Sequence, residues 1–136
     1  MDKITVKVLV AKIGIPNVNG LVYPLEEMEQ AIAEYNNRDH PQFLTVENDK
    51  DLKVNLSKIV GIVERLYIEG DSVYADLTPT DTPMKKAVWC ESNLRLDCKP
   101  RFIGSGIVEE DKTVKDLRIN HVNVYCGKEP KVSWEE

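Results

Sequence analysis

The chain has 136 residues, 42% hydrophobic and 30% charged, with a formal net charge of −5. This is one domain's worth of chain with an ordinary folding composition, which argues against disorder, against two domains and, through its acidic balance, against a sequence-independent grip on DNA. No apolar run approaches the roughly 20 residues that cross a bilayer, and MDKITVKVLV at the N-terminus alternates like a strand instead of forming a signal peptide, so an intracellular protein is expected.

In chain order, Ile4, Val6, Val8 and Val10 face one way, interleaved with Thr5, Lys7, Leu9 and Ala11, which predicts a strand. Residues 14–20 gather glycine, proline and asparagine into a loop with its turn at Asn19-Gly20. A helix follows from about Leu25 to Tyr35, with Leu25, Met28, Ile32 and Tyr35 on the inner stripe and Glu26, Glu27, Glu29 and Glu34 outside. Its early glutamates complement the positive end of the helix dipole, and Pro41 forbids continuation through His40. Phe43 to Glu47 alternate as a short strand, and the polar segment 48–55 reads as an exposed loop.

From Ser57 a longer strand runs through Val60, Ile62 and Leu66 to Ile68, turns at Glu69-Gly70-Asp71 and returns through Val73, Ala75 and Leu77 as a hairpin. Asp81 or Thr82 can cap a second helix with Pro83 in its first turn, running to about Ser92. Leu94, Leu96 and Cys98 alternate as a strand that Pro100 interrupts before Arg101 to Gly106. Residues 107–109 and 113–118 form a hairpin about Glu110-Asp111-Lys112, and Ile119, Val122, Val124 and Cys126 make a last strand. Cys90, Cys98 and Cys126 lack CxxC spacing and read as reduced, partly buried thiols, with neither a zinc site nor a disulfide framework. Two short helices and about seven strands predict an α+β domain, a small antiparallel β-barrel or sheet with the helices outside, over residues 1–130, followed by a tail at 131–136.

Four segments resemble the prohead (head maturation) proteases of tailed bacteriophages. Asp81-Thr82-Pro83 with Lys86 resembles their D-T-P-x-G-K. Asn19-Gly20-Leu21-Val22-Tyr23-Pro24 resembles their N-G-R-x-Y-P, with Leu21 in place of the arginine. Arg101 followed by Gly104-Ser105 sits where they carry S-S-R-x-x-G-S, and Ile119 to Pro130 matches their closing strand and its D/E-P ending. The matches keep the family's order over most of the chain from Asn19 to Pro130. The resemblance implies a small barrel with outer helices, of the kind shared with the herpesvirus assemblins.

A serine peptidase needs a nucleophile, a histidine that takes its proton and a third group that orients the histidine. In the resembled family the nucleophile is a serine just before the arginine of S-S-R, but here Lys99 and Pro100 precede Arg101. The resemblance therefore implies a catalytically degenerate relative with no catalytic residues. His40-Pro41 resembles the family's H-P, with Arg38-Asp39 where G-E would stand. His40 reads either as a relic of the base or as an exposed loop histidine. An active enzyme would have to use His40, Ser105 and His121, in the His, Ser, His order of the assemblins. Ser105, however, falls on the family's second, non-catalytic serine, and Gly-Ser-Gly is equally explained by a strand bulge.

There is no phosphate loop, no HExxH and no aromatic-basic alternation, so neither cofactor nor metal is expected. The resemblance implies a virion structural protein, a capsid decoration or cement subunit present in the host cytoplasm during assembly and in the capsid afterwards. The alternative is an active serine endopeptidase that trims scaffold and capsid proteins, and a third reading is a host-directed binding protein. Expected partners are the major capsid protein or neighbouring decoration subunits, with a homo-oligomer left open and neither a membrane nor specific nucleic acid. The expected contacts are the 48–55 loop (Asn48, Asp49, Lys50, Asp51, Leu52, Lys53) and Trp134 of the tail, since a terminal tryptophan either packs on its own domain or serves a partner.

Overall fold

Alternation makes the first strand, β1 (Val6–Lys12), whose even-numbered valines are half-buried while Lys7 and Leu9 face water. The computed structural model describes residues 5–17, 19–46, 59–81, 88–90, 93–126 and 134–135, with the side chains of 93, 126, 134 and 135 outside that description. After β1 come the helix α1 (Leu25–Asn36) and the strands β2 (Gln42–Val46), β3 (Ile59–Glu69), β4 (Ser72–Pro79), β5 (Trp89–Cys90) and β6 (Asn93–Leu94). The chain then continues through β7 (Cys98–Val108), β8 (Val114–Cys126) and β9 (Trp134–Glu135). The main sheet has the order β1-β4-β3-β2-β8-β7-β9, antiparallel except at β2–β8 and β7–β9. Its six longer strands curl into a half-barrel, so the fold is mostly β with one helix, α1, among the described residues.

The core is filled by alternate residues of these strands: Val73, Ala75 and Leu77 of β4, Leu44 of β2, Val122 and Val124 of β8, and Phe102 of β7. The helix adds Met28, Ala31, Ile32 and Tyr35 and packs on β8 and β3. Leu25, predicted on that stripe, is 49% exposed; it is the first helical residue, and Ala31 takes the inner place. The last turn is pinned by Asn36, whose amide donates to the Leu66 carbonyl at 2.8 Å while its Oδ1 accepts from the Leu66 N–H at 2.9 Å. Those two bonds satisfy β3 backbone groups beside the register shift between Val63 and Arg65.

Arg38 continues the anchor. It donates to Gln42 Oε1 at 3.0 Å, to the carbonyls of Asn120 and Ile119, and through a fork to Glu34. Hydrogen bonding by Arg38, helped by the charges of Arg38 and Arg118, holds the Glu34 carboxyl below its ordinary value of 4.5. A depressed carboxylate contributes stability that is present above the unfolded value and lost as pH falls through the folded one. Thermal melts are therefore expected to drop as pH falls below 4.5, and Glu34→Gln should flatten that slope. The effect is small because the carboxylate is 44% exposed, and an unaltered slope in the variant would show that the pair carries none of it.

Several expectations from the sequence need correction. The proposed second helix lies mostly outside the described residues, but it does not reach Ser92: Trp89–Cys90 are extended and pair with Asn93–Leu94. Leu94, Leu96 and Cys98 do not form one strand. The Cys98 amide closes a turn onto the Arg95 carbonyl at 3.0 Å, and Leu96 stands fully exposed at its tip. Pro100 does not break β7, because among the described residues β9 pairs at Gly104–Ser105 alone and at Pro100 the strand has a hydrogen-bonding partner on one side, where proline is tolerated. The hairpin strand after residue 113 and the last strand are one, β8, with Asp116 in the left-handed region at φ 52° where the register against β7 shifts between Lys115 and Arg118. Cys98 is disulfide-bonded, against the expectation of a reduced thiol, and its register partner is Cys126; Cys90 is a free, exposed thiol. The tail is not wholly outside the sheet either, since the backbone of Trp134–Glu135 pairs in parallel with Gly104–Ser105.

Candidate functional site

The site grows from two strand edges, those of β1 and β7, that line one groove. Among the described residues β1 pairs with β4 alone, and β7 beyond its short contact with β9 pairs with β8 alone, so the two edges approach each other without a backbone ladder between them. The loop after β1 sets one wall. Asn17 Oδ1 accepts from the N–H groups of Asn19 and Leu21 at 2.9 and 3.0 Å, Gly20 supplies the positive φ of 79°, and the Asn17 amide donates to Tyr23 Oη at 2.8 Å. The turn is thus organised by Asn17 more than by Asn19-Gly20. Tyr23 in turn lies against Phe102 of β7, with ring centroids 5.2 Å apart. Between the edges is a groove of about 240 Å³ whose walls include Leu9, Lys12, Ile15, Lys99, Pro100 and Arg101.

Pro100 is buried opposite Val124, while Lys99 is exposed opposite Tyr125. Arg101 is 3% exposed; its Nε donates to Asn123 Oδ1 at 3.2 Å and its guanidinium lies 5.7 Å from the Tyr125 ring. Asn123 is also in register with Thr45 across the parallel pair, so Thr45, Asn123 and Arg101 form a buried polar row over β2, β8 and β7. Thr45 Oγ1 and Asn123 Nδ2 have no hydrogen-bond partner among the described residues. Sequence reasoning passed over this row. The signal for it was there in β8, where His121 and Asn123 take the same parity between valines, but the pairing that joins Asn123 to Thr45 and Arg101 is not local.

The three residues that an active enzyme would need are spread over the sheet. His121 is buried opposite Ile103, and Ser105 is half-buried opposite Arg118 between two register shifts of β7. His40 is 68% exposed before β2, its Nδ1 3.2 Å from Asp39 Oδ1. β8 lies between β7, which carries Ser105, and β2, which His40 precedes, so the two lines of chain are two strand spacings or roughly 10 Å apart. No hydrogen bond joins Ser105 to either histidine among the described residues. Gly104 has a packing reason of its own: a Cβ there would meet the Phe102 ring at 3.0 Å and the Arg118 carbonyl at 3.1 Å.

His40 lines a second cleft of about 280 Å³ with Tyr35, Arg38 and Glu64. Burial pushes the Tyr35 phenol well above its ordinary value, and its Oη has no partner among the described residues. Arg38 spends its donors on Glu34, Gln42 and β8. The cleft is therefore short of groups that could hold an anion. The expected contact residues Asn48, Asp49, Lys50, Asp51, Leu52 and Lys53 lie outside the described residues, and of Trp134 only the backbone is placed, beside Gly104.

No family model matches the sequence. No curated protein matches it. Among solved structures the chain is similar to the capsid assembly protease gp21 of bacteriophage T4, with a TM-score of 0.63 at 16% identity over 90% of this chain and 81% of that one. At that identity the likeness is one of fold, and the fold is phage prohead-protease-like.

Proposed function

We propose that the chain is a structural protein of a phage head, a decoration or cement subunit that uses a protease-like fold to hold on to the capsid without cutting it. The observation that carries this reading is Pro100. The resemblance puts the nucleophile just before Arg101, and there the strand carries a buried proline, which has no nucleophilic group, preceded by an exposed lysine. A lysine nucleophile needs desolvation to lose its proton, and Lys99 is open to water. The polar row next to it holds an amide, a hydroxyl and a guanidinium, none of which is a general base at neutral pH. The partners in this reading are the major capsid protein or neighbouring decoration subunits, met through the 48–55 loop and Trp134, and the location is the mature virion.

The alternative, an active serine endopeptidase of head maturation, draws on the name of the structural neighbour. It requires Ser105, His40 and His121 to converge although β8 separates the first two. Two measurements test both. Purified protein is treated with a serine-directed acylating probe, and mature virions are assayed for copy number by mass spectrometry. The expected result is no labelling and a copy number comparable to that of the shell subunits. Stoichiometric labelling at Ser105 that His40→Ala abolishes would establish the peptidase instead, and absence from virions would remove the decoration role.

A further inference from the structure

We infer that Cys98 and Cys126 form a redox-dependent clasp across β7 and β8, open as two thiols in the cytoplasm where the chain is made and closed as a disulfide in the released particle. The two compartments rest on the reading of this chain as a head subunit; the clasp itself does not.

Three observations lead there. The first is the pairing. The chain has three cysteines. Cys90 is a free thiol and Cys98 is disulfide-bonded, which leaves Cys126, the residue directly opposite Cys98 in the register. Opposed residues of an antiparallel pair have their Cα atoms about 4.5 to 5.5 Å apart, inside the span of roughly 4.4 to 6.8 Å that a disulfide bridges. The second is the place of the bond. It closes the last rung of the β7–β8 ladder, at an end where, among the described residues, β7 is laddered to β8 alone. The next rung, Lys99 with Tyr125, lines the groove. The next described strand after Cys126 is β9, which lies on the opposite edge of β7 and pairs there through Trp134 and Glu135 alone. A chain end frays unless it is tied down, and so short a ladder ties it weakly, so the clasp fastens the point from which the tail starts. The third is shielding. Cys98 is 5% exposed, whereas Cys90 lies at the surface, so a reductant reaches the closed bond when the ladder end opens.

Disulfides persist in oxidising surroundings and are rare where glutathione and thioredoxin keep thiols reduced, so a chain that passes from one to the other changes state on the way. Closure needs a disulfide oxidant, of which oxidised glutathione is the simplest. One cysteine thiolate attacks it, forms a mixed disulfide and releases one glutathione thiolate. The second cysteine thiolate then displaces the other glutathione, so the two cysteine protons end on two reduced glutathiones and two electrons leave the protein. The closed bond also constrains the unfolded chain between residues 98 and 126, which raises stability together with fixing the tail.

The test uses the full chain carrying Cys90→Ser, so that the exposed thiol takes no part, equilibrated with oxidised glutathione or with excess dithiothreitol. Alkylation by iodoacetamide in denaturant, read by intact mass, is expected to find no free thiol after the first treatment and both thiols free after the second. The reduced protein should melt about 10 °C lower, as the lost constraint on a loop of this length in a domain of this size requires. Hydrogen exchange should speed on reduction in peptides covering 98–105 and 127–136 and stay unchanged at the same times from Ile59 to Pro79. Cys98→Ser in the same background should melt like the reduced protein and ignore dithiothreitol. Free thiols or glutathione adducts after oxidised glutathione, a disulfide-linked dimer on a non-reducing gel, equal melts of the two forms, or exchange that speeds evenly along the chain would each overturn the clasp. None of these readouts involves a capsid. A clasp that closes in a protein absent from virions means that only the head-subunit reading has failed, whereas a protein abundant in virions with both thiols free means that only the clasp has.

Discussion

Val60→Asp is expected to abolish the cooperative thermal melt of this domain. Val60 has 0% of its surface exposed and sits in β3 between β2 and β4. Its carbonyl also accepts the Trp89 indole N–H at 2.6 Å, so the residue is fixed from the backbone as well as the side chain. A carboxylate there has no partner to meet and must be buried charged or protonated, at a cost of several kcal/mol at least, on the order of 4 or more. Domains of this size have only about 5 to 15 kcal/mol in total. Ile62→Asp supplies the contrast. The same strand exposes Ile62 in part, at the wall of the His40 cleft, so its variant should still melt cooperatively at a lower Tm. Circular dichroism melts of both variants decide the matter: two equal losses would mean that burial along β3 is not what separates them.

The second large effect is expected at Gly61. A Cβ there would lie 2.9 Å from the Thr78 carbonyl and 3.3 Å from Leu44 Cδ2, so β4 and β2 crowd the position from both sides. Backbone cannot swing away as a flexible side chain can. Gly61→Val forces the strands apart, and overpacking of this kind costs about 3 kcal/mol, or about 10 °C in Tm for a chain of this length. Gly70 is the control, since no atom lies within 4 Å of a Cβ there and only its φ of 62° is at stake. Gly70→Ala should cost about 1 kcal/mol, and a Gly61→Val melt no lower than that of Gly70→Ala would contradict the steric account.

The parts of the fold that were legible in sequence are those whose cause is local. β1, α1 and the β3–β4 hairpin each announce themselves by a period or a turn glycine within a dozen residues, and each lies within a residue or two of where that signal puts it. The misplacements share a different cause. Leu96 has the parity of a strand but ends at a turn tip, and Pro100 is accommodated because of what does not pair beside it; neither fact is written near those residues. The same holds for the site. The absence of a serine before Arg101 could be read directly, given the resemblance. The row of Thr45, Asn123 and Arg101 could not, since it exists only once β2 and β7 have both taken their places beside β8.

The parallel pairing of β2 with β8 also fixes an order of events during synthesis. β1, β4, β3 and β2 are all made before residue 80, whereas β8, which covers the far edge of β2, is not complete until Cys126 has been added. Until then the edge of β2 that β8 covers, with Phe43, Leu44 and Val46, has no strand to pair with, and an unpaired edge is the geometry that recruits other chains. Closing it brings together segments distant in sequence, the slow class of contact in folding. The β7–β8 hairpin is thus the late-made part of the sheet that closes β2, and a chain that stops short of it leaves that edge open to its neighbours.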